Sequence, residues 1–185
     1  DRVTDTAVSR AVARSEGNAL YLEELVRALA EGDNGDALPE SVLAMVAARL
    51  DRLDAQSRRV LRAASVYGLE FDERAVLALL GGSDRTTHVG DRLRELVAAE
   101  VLTRRGGGYT FRHALLRDAS YALLTESDRA LGHRLAAEHL VTLGEADAIV
   151  LAEHFAHSDK PGLAAPWYGR AAEHARLHEA VVHGE

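Results

Sequence analysis

Residues 101–112 read Val-Leu-Thr-Arg-Arg-Gly-Gly-Gly-Tyr-Thr-Phe-Arg. Val101–Arg104 and Tyr109–Arg112 are rich in strand formers, and Gly106-Gly107-Gly108 joins them, a pattern that predicts a β-hairpin. Upstream, Val89, Leu93, Leu96 and Val97 fall at i, i+4, i+7 and i+8, the spacing of one helix face. Before that, Asp72 is placed to cap a short helix carrying Val76, Leu77 and Leu80, which ends at Gly81-Gly82. Asp54 is placed to cap another, with Val60, Leu61 and Ala64, that ends near Gly68. Three helices followed by a hairpin is the order of a winged helix-turn-helix domain, here over about residues 55–112.

Helical periodicity continues on both sides. Leu22, Leu25, Val26 and Leu29 predict one helix behind Asn18 as N-cap, and Val42, Met45, Val46, Leu50 and Leu53 predict another behind Pro39. The polar segment Glu31-Gly32-Asp33-Asn34-Gly35-Asp36 separates them. After the hairpin, Leu115, Leu116, Ala119 and Leu123 form a stripe, and Thr125-x-x-Asp128 resembles a capping box. The helix it opens carries Leu131, Leu135 and Leu143 and ends at Gly144. A helix pair over 146–157 and 162–180 closes the chain, with small and aromatic residues mixed as in stacked helical hairpins of the tetratricopeptide kind. The expected fold is therefore mainly α: a helical bundle, a winged helix with a small β-hairpin wing, then tetratricopeptide-like hairpins. The expected division is 1–37, 38–124 and 125–185.

Composition narrows the chemistry. The chain has 185 residues and a net charge of −7, an ordinary globular balance. It has no cysteine, which excludes disulfides, thiolate metal sites and cysteine nucleophiles. Lys160 is the single lysine among 22 basic residues, and Asp159-Lys160-Pro161 cannot serve as a phosphate-binding P-loop. No apolar run approaches the roughly 20 residues that span a bilayer, and no targeting segment opens the chain. The expectation is a cytoplasmic protein without a membrane partner. The chain starts at Asp1, has Met45 as its one methionine, and stops within a helical pattern, so it reads as part of a longer protein.

Three segments together resemble a known family. Arg14-Ser15-Glu16-Gly17-Asn18-Ala19-Leu20-Tyr21-Leu22-Glu23-Glu24-Leu25 resembles the end of the ATPase core in signal-transduction ATPases with numerous domains, the STAND branch of the AAA+ superfamily. Leu38-Pro39-Glu40-Ser41-Val42 through Ala48-Arg49-Leu50-Asp51-Arg52-Leu53 resembles that family's next helix. Phe111-Arg112-His113-Ala114-Leu115-Leu116-Arg117-Asp118-Ala119-Ser120-Tyr121 resembles the stretch after its winged-helix wing.

The resemblance implies a regulatory segment downstream of the Walker A and Walker B motifs, neither of which is present. It implies no catalytic residue here, and ATP or ADP with Mg bound by the full-length protein and not by this segment alone. It places His113 at the histidine of the Met-His-Asp motif, which in relatives reaches the β-phosphate of ADP. Alanine stands here in place of the motif's aspartate. It also places Gly17 and Asn18 at the Gly-x-Pro-like turn near the adenine, which here reads Gly17-Asn18-Ala19 without the proline. The implied partners are an intramolecular ATPase core and an effector or protein on the helical repeats, with an output in transcription regulation.

Two other readings stay open: a freestanding winged-helix DNA-binding regulator, and a non-catalytic helical scaffold. Residues 83–117 hold seven arginines against four carboxylates, a local net of +3 that leaves −10 on the rest. Arg92, Arg104, Arg105 and Arg112 are the candidate contacts to a partner or to DNA. Among nine histidines, His174 and His178 are four apart and His154 and His157 three apart, yet no third ligand stands at a recognisable spacing. These histidines read as solvated helix residues, so no metal is expected. Trp167 and Tyr168 could line a groove for a peptide or effector, or belong to the core.

Overall fold

The computed structural model describes residues 5–15, 19–30, 42–81, 88–144 and 147–183. The chain divides into two compact units, Asp1–Asp54 and Ala55–Glu185. The described residues form ten α-helices and one small antiparallel sheet. The polar segment at 31–36, the expected boundary at 37, and Asn18 and Pro39 as helix starts lie outside the described residues.

The first unit contains α1 (Asp5–Ser15), α2 (Ala19–Ala30) and α3 (Val42–Asp51). Helix α2 packs against both neighbours, and Ala11, Tyr21, Leu25 and Met45 form its buried cluster with Leu22 at the edge. Val46 and Leu50 are buried as their spacing predicts, whereas Val26 is 47 % exposed.

The second unit is built around α4 (Ala55–Tyr67), whose Val60, Leu61, Ala64 and Val66 are buried. It continues through β1 (Glu70–Phe71), α5 (Glu73–Leu79), α6 (Val89–Ala98), β2 (Leu102–Arg105) and β3 (Gly108–Phe111). The Asp72 carboxylate accepts from the Ala75 N–H at 2.7 Å, the cap its sequence position predicts. The sheet order is β1-β3-β2, all antiparallel. Strand β1 is the element the pattern missed. Two residues carry too little alternation to be read locally, and they are held by pairing Glu70 with Thr110 and Phe71 with Tyr109.

The hairpin is shifted by one residue from expectation, with Arg105 paired to Gly108 around Gly106 and Gly107. Both turn residues have positive φ (55° and 91°), which glycine adopts without steric cost. Gly108 is required for another reason: a Cβ there would fall 2.8 Å from the Phe71 carbonyl oxygen. Its absence lets β1 lie against the hairpin. Phe71 then stacks on Tyr109 at 6.0 Å and meets Phe111 at 5.6 Å, closing the sheet's inner face. Leu93, Leu96, Val101 and Leu116 are buried with no more than 1 % exposure.

Helices α7 (Ala114–Ala122), α8 (Glu126–Leu143), α9 (Ala148–Ala156) and α10 (Ala165–His183) follow, with a 3₁₀ turn at Pro161–Ala164. Thr125 accepts from the Asp128 N–H at 3.1 Å, and α8 ends at Gly144, both as read from sequence. The buried face of α8 is a correction. It consists of Gly132, His133, Ala136 and Ala137, while Leu131 and Leu143 are 41 % and 45 % exposed. The reason is close approach. A Cβ on Gly132 would sit 3.1 Å from the Val66 side chain, so α8 meets α4 at Gly132 and α9 at Ala137, and Leu131 and Leu143 are left at the margins. Leu123 of the expected α7 stripe is likewise exposed, with Leu116 and Ser120 facing inward.

Helix α9 packs on α8 and α10, with Phe155 buried against Ala137 and Ala164. Trp167 stacks on Phe155 at 6.4 Å and is covered by the Arg170 guanidinium at 4.6 Å. No helix among the described residues is long and apolar enough to cross a membrane.

Candidate functional site

His113 sits where β3 gives way to α7. It occupies the N-cap position in an extended conformation (φ −137°, ψ 142°), and its side chain makes no capping bond to the helix. Its backbone carbonyl instead accepts from the Leu116 N–H at 3.0 Å. The half-buried imidazole therefore stands at the amino end of a nine-residue helix, where N–H groups and the helix dipole favour an anion. Arginines flank it. Arg112 pairs with Glu100 at 3.9 Å, and Arg117 reaches the Ser65 carbonyl at 2.9 Å and the Asp118 carboxylate at 3.1 Å. Arg117 also lies over the Tyr121 ring of its own helix at 4.8 Å, while its bond to the Ser65 carbonyl ties α7 to α4. Gly17 and Asn18 lie outside the described residues.

The remaining arginines do not form one surface. Arg104 and Arg105 are near the hairpin tip, opposite Tyr109 and Gly108, and adjacent strand residues face opposite sides. Arg112 is at the base, its N–H bonded to the Val101 carbonyl at 3.0 Å. Arg105 pairs with Glu70 at 3.4 Å, and Arg92 on α6 pairs with Glu95. Arg104 packs over Tyr109 at 5.7 Å. Three of these four cations thus have carboxylate partners, which weakens the local field that the arginine count implies.

Sequence reading missed a cluster of rings between α4, α7, α8 and α9. His133 and His154 are buried, at 8 % and 7 % exposure, and their Nδ1 atoms are 2.9 Å apart. Tyr121 Oη lies 2.8 Å from His133 Nε2. Tyr67 packs against His139 at 6.4 Å and His154 at 6.0 Å, and His157 lies 5.4 Å from the His133 ring. The expectation of solvated histidines is corrected here: the small residues of α8 bring it close enough to α9 to bury the pair.

The Nδ1-to-Nδ1 hydrogen bond holds one proton between the two rings, one imidazole donating and the other accepting. Burial pushes His133 down to about 4, assisted by the charges of His154, His157 and Arg117. Burial and His157 push His154 to about 4 as well. Burial, with Asp72 nearby, raises the Tyr67 phenol. Two nitrogens on one tetrahedral zinc stand about 3.3 Å apart, so 2.9 Å is the spacing of a shared proton. His157 Nδ1 is committed to the Glu153 carbonyl at 2.8 Å. Among the described residues, no group of three or more His, Asp or Glu is placed to hold a metal ion.

The expected groove at Trp167 and Tyr168 is divided by the structure. Trp167 belongs to the packing on Phe155, whereas Tyr168 lines an open groove of about 610 Å³ with Ile149, Ala171, His174 and Ala175.

No protein-family model, curated protein or solved structure matches this chain.

Proposed function

We propose that this chain is a regulatory segment of a STAND-type, ATP-binding signalling protein. In this reading, residues 55–112 are a winged helix that couples the nucleotide state of an ATPase core to sensing by tetratricopeptide-like hairpins beginning at α9 and α10. The observation that carries it is one placement. A helix–strand–helix–helix–hairpin unit with β1 on β3 leads directly into His113 at the start of α7. That position lets an imidazole donate to a phosphate oxygen, with the helix dipole acting in the same direction.

Coupling of this kind needs two states that nucleotide and effector bias differently. ADP held by His113 favours the closed state, and an effector on the hairpins favours release. The segment itself performs no hydrolysis, so ATP or ADP with Mg belongs to the core. The DNA-binding alternative draws less support, because Arg92, Arg105 and Arg112 have acidic partners. Sequence upstream of Asp1 is expected to carry a Walker A lysine and a Walker B motif. Equilibrium dialysis of the full-length protein is expected to find one bound ADP per chain. An initiator methionine immediately before Asp1, or no ADP binding, would contradict the reading.

A further inference from the structure

The displacement of the α8 leucines from its buried face has a consequence beside α4. Between α4, α5 and the amino-terminal half of α8 lies an open cavity of about 250 Å³. Leu79, Leu124, Leu131 and Leu135 supply much of its apolar wall, and Gly132 and Val66 form the floor where the helices touch. Arg59, Arg62 and Asp128 are its charged groups.

Arg59 and Arg62 are three apart on α4 and therefore share a helix face. Among the described residues, neither guanidinium takes part in an ion pair or a side-chain hydrogen bond. That sets them apart from Arg105, Arg117, Arg129 and Arg134, which are engaged with carboxylates or backbone carbonyls. Two guanidiniums against the single Asp128 carboxylate leave the lining with one excess positive charge. A leucine wall beside uncommitted guanidiniums matches a ligand with an apolar body and an anionic head.

Size restricts the ligand further. A cavity of about 150 Å³ is enough for benzene, so 250 Å³ holds a ring or short alkyl chain plus a small polar group. Nucleotides are too large and too polar for such walls. A carboxylate suits the guanidinium fork, which can bind it through two parallel hydrogen bonds.

We propose that this cavity binds a small amphipathic monocarboxylate, with its apolar body among Leu79, Leu124 and Leu131 and its carboxylate on Arg59 and Arg62. The ligand joins α4, which packs on β1, and α5 to α8, which leads into the α9–α10 hairpin. The site is independent of His113, so it stands whether or not the nucleotide reading does.

The test is an amide NMR titration of the chain with 4-phenylbutyrate, 4-phenylbutyramide and inorganic phosphate. Saturable shifts at the lining residues of α4, α5 and α8 are expected with phenylbutyrate, at a dissociation constant of about 1 mM or below. Binding is expected to weaken about five-fold or more for the neutral amide and for the double variant Arg59→Gln, Arg62→Gln. Inorganic phosphate is expected to give no saturation at the leucines. The substitution Leu131→Trp, at a margin position that tolerates bulk, is expected to fill the cavity and abolish the shifts while circular dichroism is unchanged. No saturation by about 10 mM phenylbutyrate, equal binding of acid and amide, or full binding by a folded Leu131→Trp chain would each overturn the proposal.

Discussion

Acidification from pH 7.0 to 5.5 is expected to destabilise the second unit through His133 and His154. Both imidazoles are held neutral by burial, their values lowered from 6.5 to about 4. The unfolded chain therefore takes up protons first as pH falls. Stability is fully present above about 6.5, falls through the interval, and stops falling below about 4. Linkage with these values gives a loss on the order of 1 kcal/mol per histidine between pH 7.0 and 5.5, and roughly 2 kcal/mol for the pair. Because the two rings share one hydrogen bond, the pair sum is an upper figure. Carboxylates remain ionised over this window and contribute little to the slope.

Urea unfolding followed by Trp167 fluorescence measures the loss, since that ring stacks on Phe155 beside the pair. The variant His154→Gln is expected to flatten the pH dependence by at least half, whereas His174→Gln, at an exposed position, is expected to leave it unchanged. Stability that is constant from pH 7.0 to 5.5, or an unaltered slope in His154→Gln, would refute the reasoning.

Other substitutions test the packing. Gly108→Ala places a Cβ against the Phe71 carbonyl and is expected to cost about 1–3 kcal/mol in urea unfolding, with loss of amide protection at Phe111. Leu96→Ala in the buried face of α6 is expected to cost about 2–5 kcal/mol, against less than about 0.5 kcal/mol for Leu177→Ala on exposed α10. Tyr67 Oη is buried without a hydrogen-bond partner among the described residues. Tyr67→Phe is therefore expected to leave stability unchanged or raise it by up to about 1 kcal/mol in urea unfolding.

Legibility in the sequence followed the range of the interaction involved. Asp72 and Thr125 act on backbone three residues away, and the glycine-linked hairpin closes over a few residues, so local pattern sufficed for these. Strand β1 is defined by a partner about forty residues downstream and left no local trace. Helix α8 failed for a different reason. Leucine spacing marks an apolar stripe, but the buried face consists of Gly132, His133, Ala136 and Ala137, and at Gly132 small size matters more than hydrophobicity because the Val66 side chain comes within reach of a Cβ. The ring cluster draws Tyr67, Tyr121, His133 and His154 from four helices, and no spacing along the chain could assemble it. His139 and His154 both end an Ala-Glu-His triplet, but the exposed His174 ends a third, so the triplet does not separate buried histidines from exposed ones.

His113 was the reverse case, singled out by resemblance and then found at the N-cap position of α7. The most direct test of the regulatory reading is the ADP affinity of the full-length protein before and after His113→Ala. A hydrogen bond to a charged phosphate is worth about 1.5–3 kcal/mol, so the substitution is expected to weaken ADP binding by about ten- to a hundred-fold and to raise basal output. Unchanged ADP affinity in a folded His113→Ala protein would contradict the account.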